Sequence, residues 1–229
     1  NGSRGMLWME PLIERAETRD GERVGWSNMT AVQIEQALPS EDSEHYVGPV
    51  EEIDYLARQN RWIYERVGVT DPLDPEDYLR HGGLAGLKNA LAVSGDAVVD
   101  IITTSGLRGR GGAGFPAGIK WRTVAEQSAQ PHAGESRDAT PHKYICVNAD
   151  EGDSGTFADR MLMEGDPFCL LEGMTIAAHA VGADRGLVYL RSEYPDAIAT
   201  LQAAIDIARE RHWLGDDILG SKVAFDVEI

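Results

Sequence analysis

The sequence predicts an α/β fold, with a Rossmann-like parallel sheet and flanking helices forming its C-terminal part. Three observations predict it. From Lys143 onward, short apolar runs alternate with amphipathic helical stretches in the order β-α-β-α-β, which implies parallel strands joined by right-handed crossovers. The helical stretches begin at Asp166-Pro167 and at Pro195, and the first stops at Gly182, the usual punctuation of helices. A chain of 229 residues is also long enough to bury one large core and carry a small appendage.

The elements follow in order. Residues 1–40 read as two strands, around Met6–Ile13 and Arg23–Trp26, and a helix near Thr30–Leu38. Ser40–Gly48 is polar and acidic, as a linker would be. Ile53, Leu56, Ile63 and Val67 have the spacing of an amphipathic helix. Asp74-Pro75-Glu76 opens another, with Asp at the N-cap and Pro in the first turn. Leu84, Leu87 and Leu91 continue the helical pattern, and Ala97, Val98, Ile101 and Ile102 place a further helix over Ser94–Ser105. Gln127–His142 lacks periodicity and reads as a mobile surface insertion. Lys143–Asn148 is a short apolar run expected to be a buried strand. The helix after Asp166-Pro167 should bury Phe168, Leu171, Met174, Thr175 and Ala178, and the strand Gly186–Arg191 follows it. The helix from Pro195 should bury Ile198, Leu201, Ile205 and Ala208. Val223, Phe225, Val227 and Ile229 alternate as a last strand over Lys222–Ile229.

Charge and cysteine usage exclude several classes of function. Lys and Arg number 21 against 38 Asp and Glu, a net charge of −17 that disfavours nucleic acid and anionic membrane surfaces as partners. No run approaches the length of a membrane span and no signal peptide opens the chain, so a cytoplasmic protein is expected. Cys146 and Cys169 are too few for a disulfide framework or an iron–sulfur cluster, and both are expected as small buried groups. No pair of histidines has metal-ligand spacing. Trp62, Trp121 and Trp213 are expected to pack rather than to stack on a cofactor. No nucleophile–base pair is evident, which suits a redox protein whose cofactor carries the chemistry.

Two segments about 30 residues apart hold the candidate chemistry. Gly106-Leu-Arg-Gly-Arg-Gly-Gly-Ala-Gly-Phe-Pro-Ala-Gly-Ile-Lys-Trp121 is a glycine-rich backbone that can lie against a flat or phosphorylated ligand. Arg108, Arg110 and Lys120 make it a cationic island in an acidic chain. Gly109-x-Gly111-x-x-Gly114 satisfies a dinucleotide fingerprint only formally, because a helical pattern and not a strand precedes it. A Walker A loop fails for want of Gly-Lys-Ser/Thr. A plain surface turn is disfavoured by the anchors Phe115, Pro116 and Trp121. The second segment, Asn148-Ala-Asp-Glu-Gly-Asp-Ser-Gly-Thr-Phe-Ala-Asp-Arg160, follows the Lys143 strand, at whose carboxyl end open α/β sheets hold their ligands. Asn148, Asp150, Glu151, Asp153, Ser154 and Thr156 offer oxygens to ribityl or ribose hydroxyls and to a flavin N3–H. A calcium loop would need Glu at the twelfth position, where Asp159 stands, and a glycine at the sixth. A solvated acidic loop remains the alternative. Together the segments have the composition of two walls of a flavin nucleotide pocket.

These two stretches closely resemble the FMN-binding segments of the family of the 51 kDa flavoprotein of respiratory complex I, whose relatives include hydrogenase diaphorase subunits and beta subunits of NAD-dependent molybdenum formate dehydrogenases. Glu151-Gly-Asp-Ser-Gly-Thr-Phe, Asp166-Pro-Phe and Arg191-Ser-Glu-Tyr-Pro195 are most similar to the formate dehydrogenase form. The resemblance implies FMN contacts from Gly109, Arg110, Gly111, Gly112, Lys120, Asn148, Asp150 and Glu151. It implies NADH contacts from Gly112, Phe115, Lys120 and Asp153. Thr123 and Asp153 depart from the residues some relatives carry at these positions. The resemblance further implies hydride exchange between NAD(H) and FMN, and iron–sulfur, molybdenum or hydrogenase subunits as partners. It implies that residues 1–40 end a thioredoxin-like domain, 41–75 form a linker and helix, and 76–229 form an FMN/NADH-binding domain. A [4Fe–4S] site and the rest of the pocket are expected in a C-terminal part that this sequence lacks, so the chain reads as a piece, or the ordered part, of a longer subunit.

Overall fold

The computed structural model describes residues 6–15, 23–36, 40–128, 142–153 and 155–229. They form two compact units, residues 1–62 and 63–229. In the first, strands β1 (Ile13–Glu14), β2 (Val24–Trp26) and β3 (Tyr46–Pro49) make an antiparallel sheet in that order. Between β2 and β3 lies helix α1 (Ala31–Gln36), opened by a reciprocal box in which the Thr30 hydroxyl accepts from the Gln33 N–H and the Gln33 side chain from the Thr30 N–H. Positions 37–39 of the expected helix lie outside the described residues. The strand expected over Met6–Ile13 is instead a 3-10 turn, Leu7–Met9, followed by the two residues of β1. Pro11, which has no N–H for a ladder, interrupts it. The helix expected from Ile53 to Val67 contracts to α2, Asp54–Ala57. Leu56 is buried but Ile63 is half exposed, so the apolar positions do not form one continuous buried face.

The second unit holds helices α3 (Pro75–Arg80), α4 (Ala85–Leu91), α5 (Gly95–Ser105) and α6 (Ala117–Glu126), then β4 (Tyr144–Ala149), α7 (Ala158–Gly165), α8 (Pro167–Val181), β5 (Arg185–Leu190), α9 (Pro195–Glu210) and β6 (Asp226–Glu228). Strands β4, β5 and β6 are parallel and adjacent in sequence order, with Tyr144 beside Arg185 and Asn148 beside Tyr189. The expected parallel sheet is therefore present. Its last strand is shorter than the expected Lys222–Ile229, although Phe225 and Val227 are buried as the alternation requires.

Local chemistry accounts for the helices. Asp74 accepts from the Glu76 N–H at 2.8 Å to start α3, Ser94 caps α5, and Gly182 ends α8 in the left-handed conformation. The expected stripe of α8, Phe168 to Ala178, is wholly buried, as are Leu201, Ile205 and Ala208 of α9, with Ile198 partly so. From α8, Glu172 reaches across to α4, accepting from the Tyr78 hydroxyl (2.5 Å) and the N–H groups of Leu84 (2.8 Å) and Leu87 (2.9 Å). This carboxylate satisfies orphan donors at the start of α4. The buried Asp166 pairs with Arg66 at 2.9 Å.

Helices cover one face of the sheet. Ile145, Val147, Ala149, Val188 and Leu190 point into that core, whereas Cys146, Asn148, Leu187 and Tyr189 are exposed on the other face. This corrects two expectations: the Lys143 strand is half buried, and Cys146 is an exposed thiol, while Cys169 is partly buried. Trp213 packs edge-on against Phe168 and Trp121 joins the same core, but Trp62 is 80% exposed.

Candidate nucleotide site

The glycine loop is a closed turn standing on α5 and α6. Gly106 ends α5 with φ of 69°, Leu107 accepts from the Ala117 N–H at 2.8 Å, and the Gly109 N–H donates to Phe115 at 2.9 Å. Inside this frame the Arg108 guanidinium donates to the Gly114 carbonyl at 2.9 Å and Arg110 to the carbonyl of Arg108. Both arginines thus brace the loop. Lys120, in the first turn of α6, is exposed and holds its ammonium 5.9 Å from the centre of the Phe115 ring, itself 47% exposed.

The glycines test whether a flat ligand fits. Gly112, at φ of 106°, needs the freedom of glycine for its own backbone. Gly111 does not: its φ lies outside the left-handed range, and a Cβ built there would meet nothing within 4 Å. Among the described residues nothing crowds position 111, so the turn leaves its bare backbone open there. An FMN phosphate or ring laid on the loop would need that bareness. The residues present fit the cofactor.

The acidic loop leaves β4 at its carboxyl end. Asn148 turns its amide oxygen back to accept from the Asp150 N–H at 3.2 Å. Asn148 and Asp150 line an open cleft of about 410 Å³ together with Cys146, Val147 and Tyr189, within the size range of small-molecule sites. Glu151, at φ of 44°, turns the other way. Its carboxylate accepts from the N–H groups of Asp159 (2.8 Å) and Arg160 (3.2 Å), capping α7, a helix the sequence pattern did not reveal. Asp153 is exposed, and Ser154 lies outside the described residues.

The surroundings of Glu151 are built. Arg191 donates to its carbonyl at 2.9 Å, and the guanidinium groups of Arg160 and Arg191 lie 5.3 and 5.1 Å from the Tyr194 ring. Burial, then the Glu151 charge, pushes the Tyr194 hydroxyl up, while burial followed by the same charge raises the Asp159 carboxyl. Thus the structure groups Asn148 and Asp150 at one cleft, sets Glu151 behind it, and holds Gly109, Arg110, Gly111, Gly112, Phe115 and Lys120 on a separate turn. Sequence reasoning missed Tyr189 as a cleft residue. The parallel register beside Asn148 could have found it.

Comparison with known proteins extends this reading. Residues 102–229 match the model of the Nuo51 FMN-binding domain. The chain is 45% identical over 172 residues to the NADP-reducing hydrogenase subunit HndC of Solidesulfovibrio fructosivorans, covering 75% of this chain and 33% of that one. It is 44% identical over 168 residues to a subunit of the NADH-quinone oxidoreductase of Rhizobium meliloti, covering 73% and 37%. A crystal structure of NAD+-reducing [NiFe]-hydrogenase in the H2-reduced state superposes with a TM-score of 0.50 at 29% identity, covering 89% of this chain and 32% of that one. The chain spans about a third of the length of the curated relatives it matches. Among the described residues no helix is long and apolar enough to cross a membrane. More than half of the chain falls within the matched domain, and its glycine turn and acidic loop lie inside it; the chain belongs to the 51 kDa flavoprotein family, that of the Nuo51 FMN-binding domain.

Proposed function

We propose that this chain is the FMN- and NAD(H)-binding part of a diaphorase-type flavoprotein subunit, an oxidoreductase component of a multisubunit redox complex. FMN held by these residues would supply hydride exchange with NAD(H) and one-electron transfer to or from iron–sulfur clusters. The protein's residues hold and orient. Gly109, Gly111 and Gly112 present backbone to the flavin, Arg110 braces the turn, and Lys120 places a positive charge where phosphate or reduced ring is negative. Asn148 and Asp150 bind hydroxyls from the opposite wall. Glu151 anchors that wall to α7, and Phe115 and Asp153 meet the dinucleotide. Residues 1–40 are taken as the end of a thioredoxin-like domain, 41–75 as a connector and 76–229 as the flavin domain. Within the family we favour a formate dehydrogenase complex, on the motifs Glu151–Phe157 and Arg191–Pro195, over a hydrogenase or complex I.

The observation that carries this reading is that the cationic glycine turn and the acidic loop after β4 both fall within the matched FMN-binding domain. The visible spectrum of the complete purified subunit tests it: a yellow protein bleached by NADH is expected, and a colourless one points to a docking scaffold. In the same preparation Lys120→Ala should lower flavin content several-fold. An unchanged flavin-to-protein ratio would remove Lys120 from the site.

A further inference from the structure

Lys143 has an unusual set of partners. Its ammonium donates to the carbonyls of Val124 (3.0 Å) and Ala125 (3.2 Å) at the end of α6, and to that of Val181 (2.9 Å) at the end of α8. These carbonyls lie in the last turns of two helices, at their negative ends, where that of Val124 also accepts from the Gln127 N–H, and an ammonium has three protons to give. Its own carbonyl accepts from the N–H groups of Asp184 (3.2 Å) and Arg185 (3.3 Å), where β5 begins. One residue, immediately before β4, thus joins the ends of α6 and α8 to the starts of two strands.

We propose that Lys143 is a positioning residue for the flavin site, acting through the angle between α6 and β4; the proposal rests on the flavin-binding function. The C-terminus of α6 and the N-terminus of β4 meet at this ammonium. Their far ends carry the two candidate walls: the glycine turn with Lys120 on one, and Asn148 to Glu151 on the other. Ten helical residues rise ~15 Å and six strand residues ~20 Å. A tilt of ~5° at the junction therefore moves a far end by more than ~1 Å, a misplacement able to cost on the order of 100-fold at a reacting centre. Helix packing against α5 and α8 also holds α6. The Lys143 bonds add the constraint at the end where leverage on the turn is greatest.

The test uses the complete subunit stripped of flavin and titrated with FMN well below its melting temperature, so that only folded protein is read. Lys143→Met keeps the stem and removes every donor. The expected result is an FMN dissociation constant raised about tenfold or more and a changed KM for NADH, both largely restored by Lys143→Arg. Arg209→Met, which removes bonds to Asp226 and the Val227 carbonyl, serves as the structural control. It should lower the melting temperature while leaving FMN affinity within about twofold. Were Lys143→Met to bind FMN as tightly as the wild type, or only as much more weakly as Arg209→Met does, the positioning role would be overturned. If Lys143→Met does not fold, Lys143→Gln, which keeps a donor for part of the set, takes its place: weaker FMN binding than in Arg209→Met supports the role, and equal binding overturns it. A wild-type subunit that binds no FMN would overturn the underlying flavin function instead.

Discussion

Phe115 is the residue whose surroundings explain least of its chemistry. It closes the glycine turn through its carbonyl, yet 47% of it faces solvent, with the Lys120 ammonium 5.9 Å from its ring centre. An aromatic face left in water gains by being covered, and a nicotinamide or purine would cover it. One such face is worth roughly 1–3 kcal/mol, or one to two decades of affinity. Phe115→Ala in the complete subunit should raise the KM for NADH at least several-fold with flavin content unchanged. A variant that loses flavin with an unaltered KM would show that the ring packs the turn instead. At this scale the sequence was informative where a residue type is rare for its setting, as at Gly111 or Phe115. It was silent on direction. Asn148 and Glu151 stand three positions apart in one acidic run, but the left-handed backbone at Glu151 turns its carboxylate onto α7 and away from the cleft that Asn148 lines.

Helices α8 and α9 were legible because periodicity, Pro at the start and burial all agree. The 53–67 stretch had the period without a continuous buried face, and α7 is only eight residues long with a single fully buried one, Met163, too short a stripe to read. Helix α3 shows how its start is held. Asp77 accepts from the Asp71 N–H at 2.8 Å and pairs with Arg80 at 3.0 Å, and these bonds, the first foremost, hold its carboxyl below the usual carboxylate range despite some desolvation. A depressed carboxyl contributes stability above its unfolded pKa and loses it as pH falls through the folded value. Asp77→Asn should therefore lower the melting temperature near pH 7, by roughly 2–4 °C if about 1 kcal/mol is lost. The difference from wild type should shrink as pH falls below the usual carboxylate range. A difference that persists in acid would assign the loss to packing rather than charge. Calorimetry across pH 3–7 separates the two.

The sidedness of residues 63–229 follows from topology. Three parallel strands in sequence order, joined by right-handed crossovers, send every connecting helix to the same face. That face is closely packed. A Cβ on Gly186 would come within 2.7 Å of the Phe225 ring and 2.9 Å of Met174, so a larger residue in β5 would force those side chains to shift. The opposite face is left to Cys146, Asn148, Leu187 and Tyr189, at whose carboxyl end the cleft lies. Parallel sheets are normally covered on both faces, so the sequence alone favoured a β4 buried on both sides; the absence of a reversal in strand order is what removes the second layer among the described residues. The two faces should then differ sharply in energy. Phe225 is 1% exposed at the centre of the packed side, and truncating such a ring costs about 3–5 kcal/mol. Tyr189 is 72% exposed, and exposed substitutions stay within about 0.5 kcal/mol. Urea denaturation of this chain should show the full loss for Phe225→Ala and almost none for Tyr189→Ser. Comparable losses from both would mean that the outer face is covered too, and that the one-sided sheet derived from its strand order is wrong.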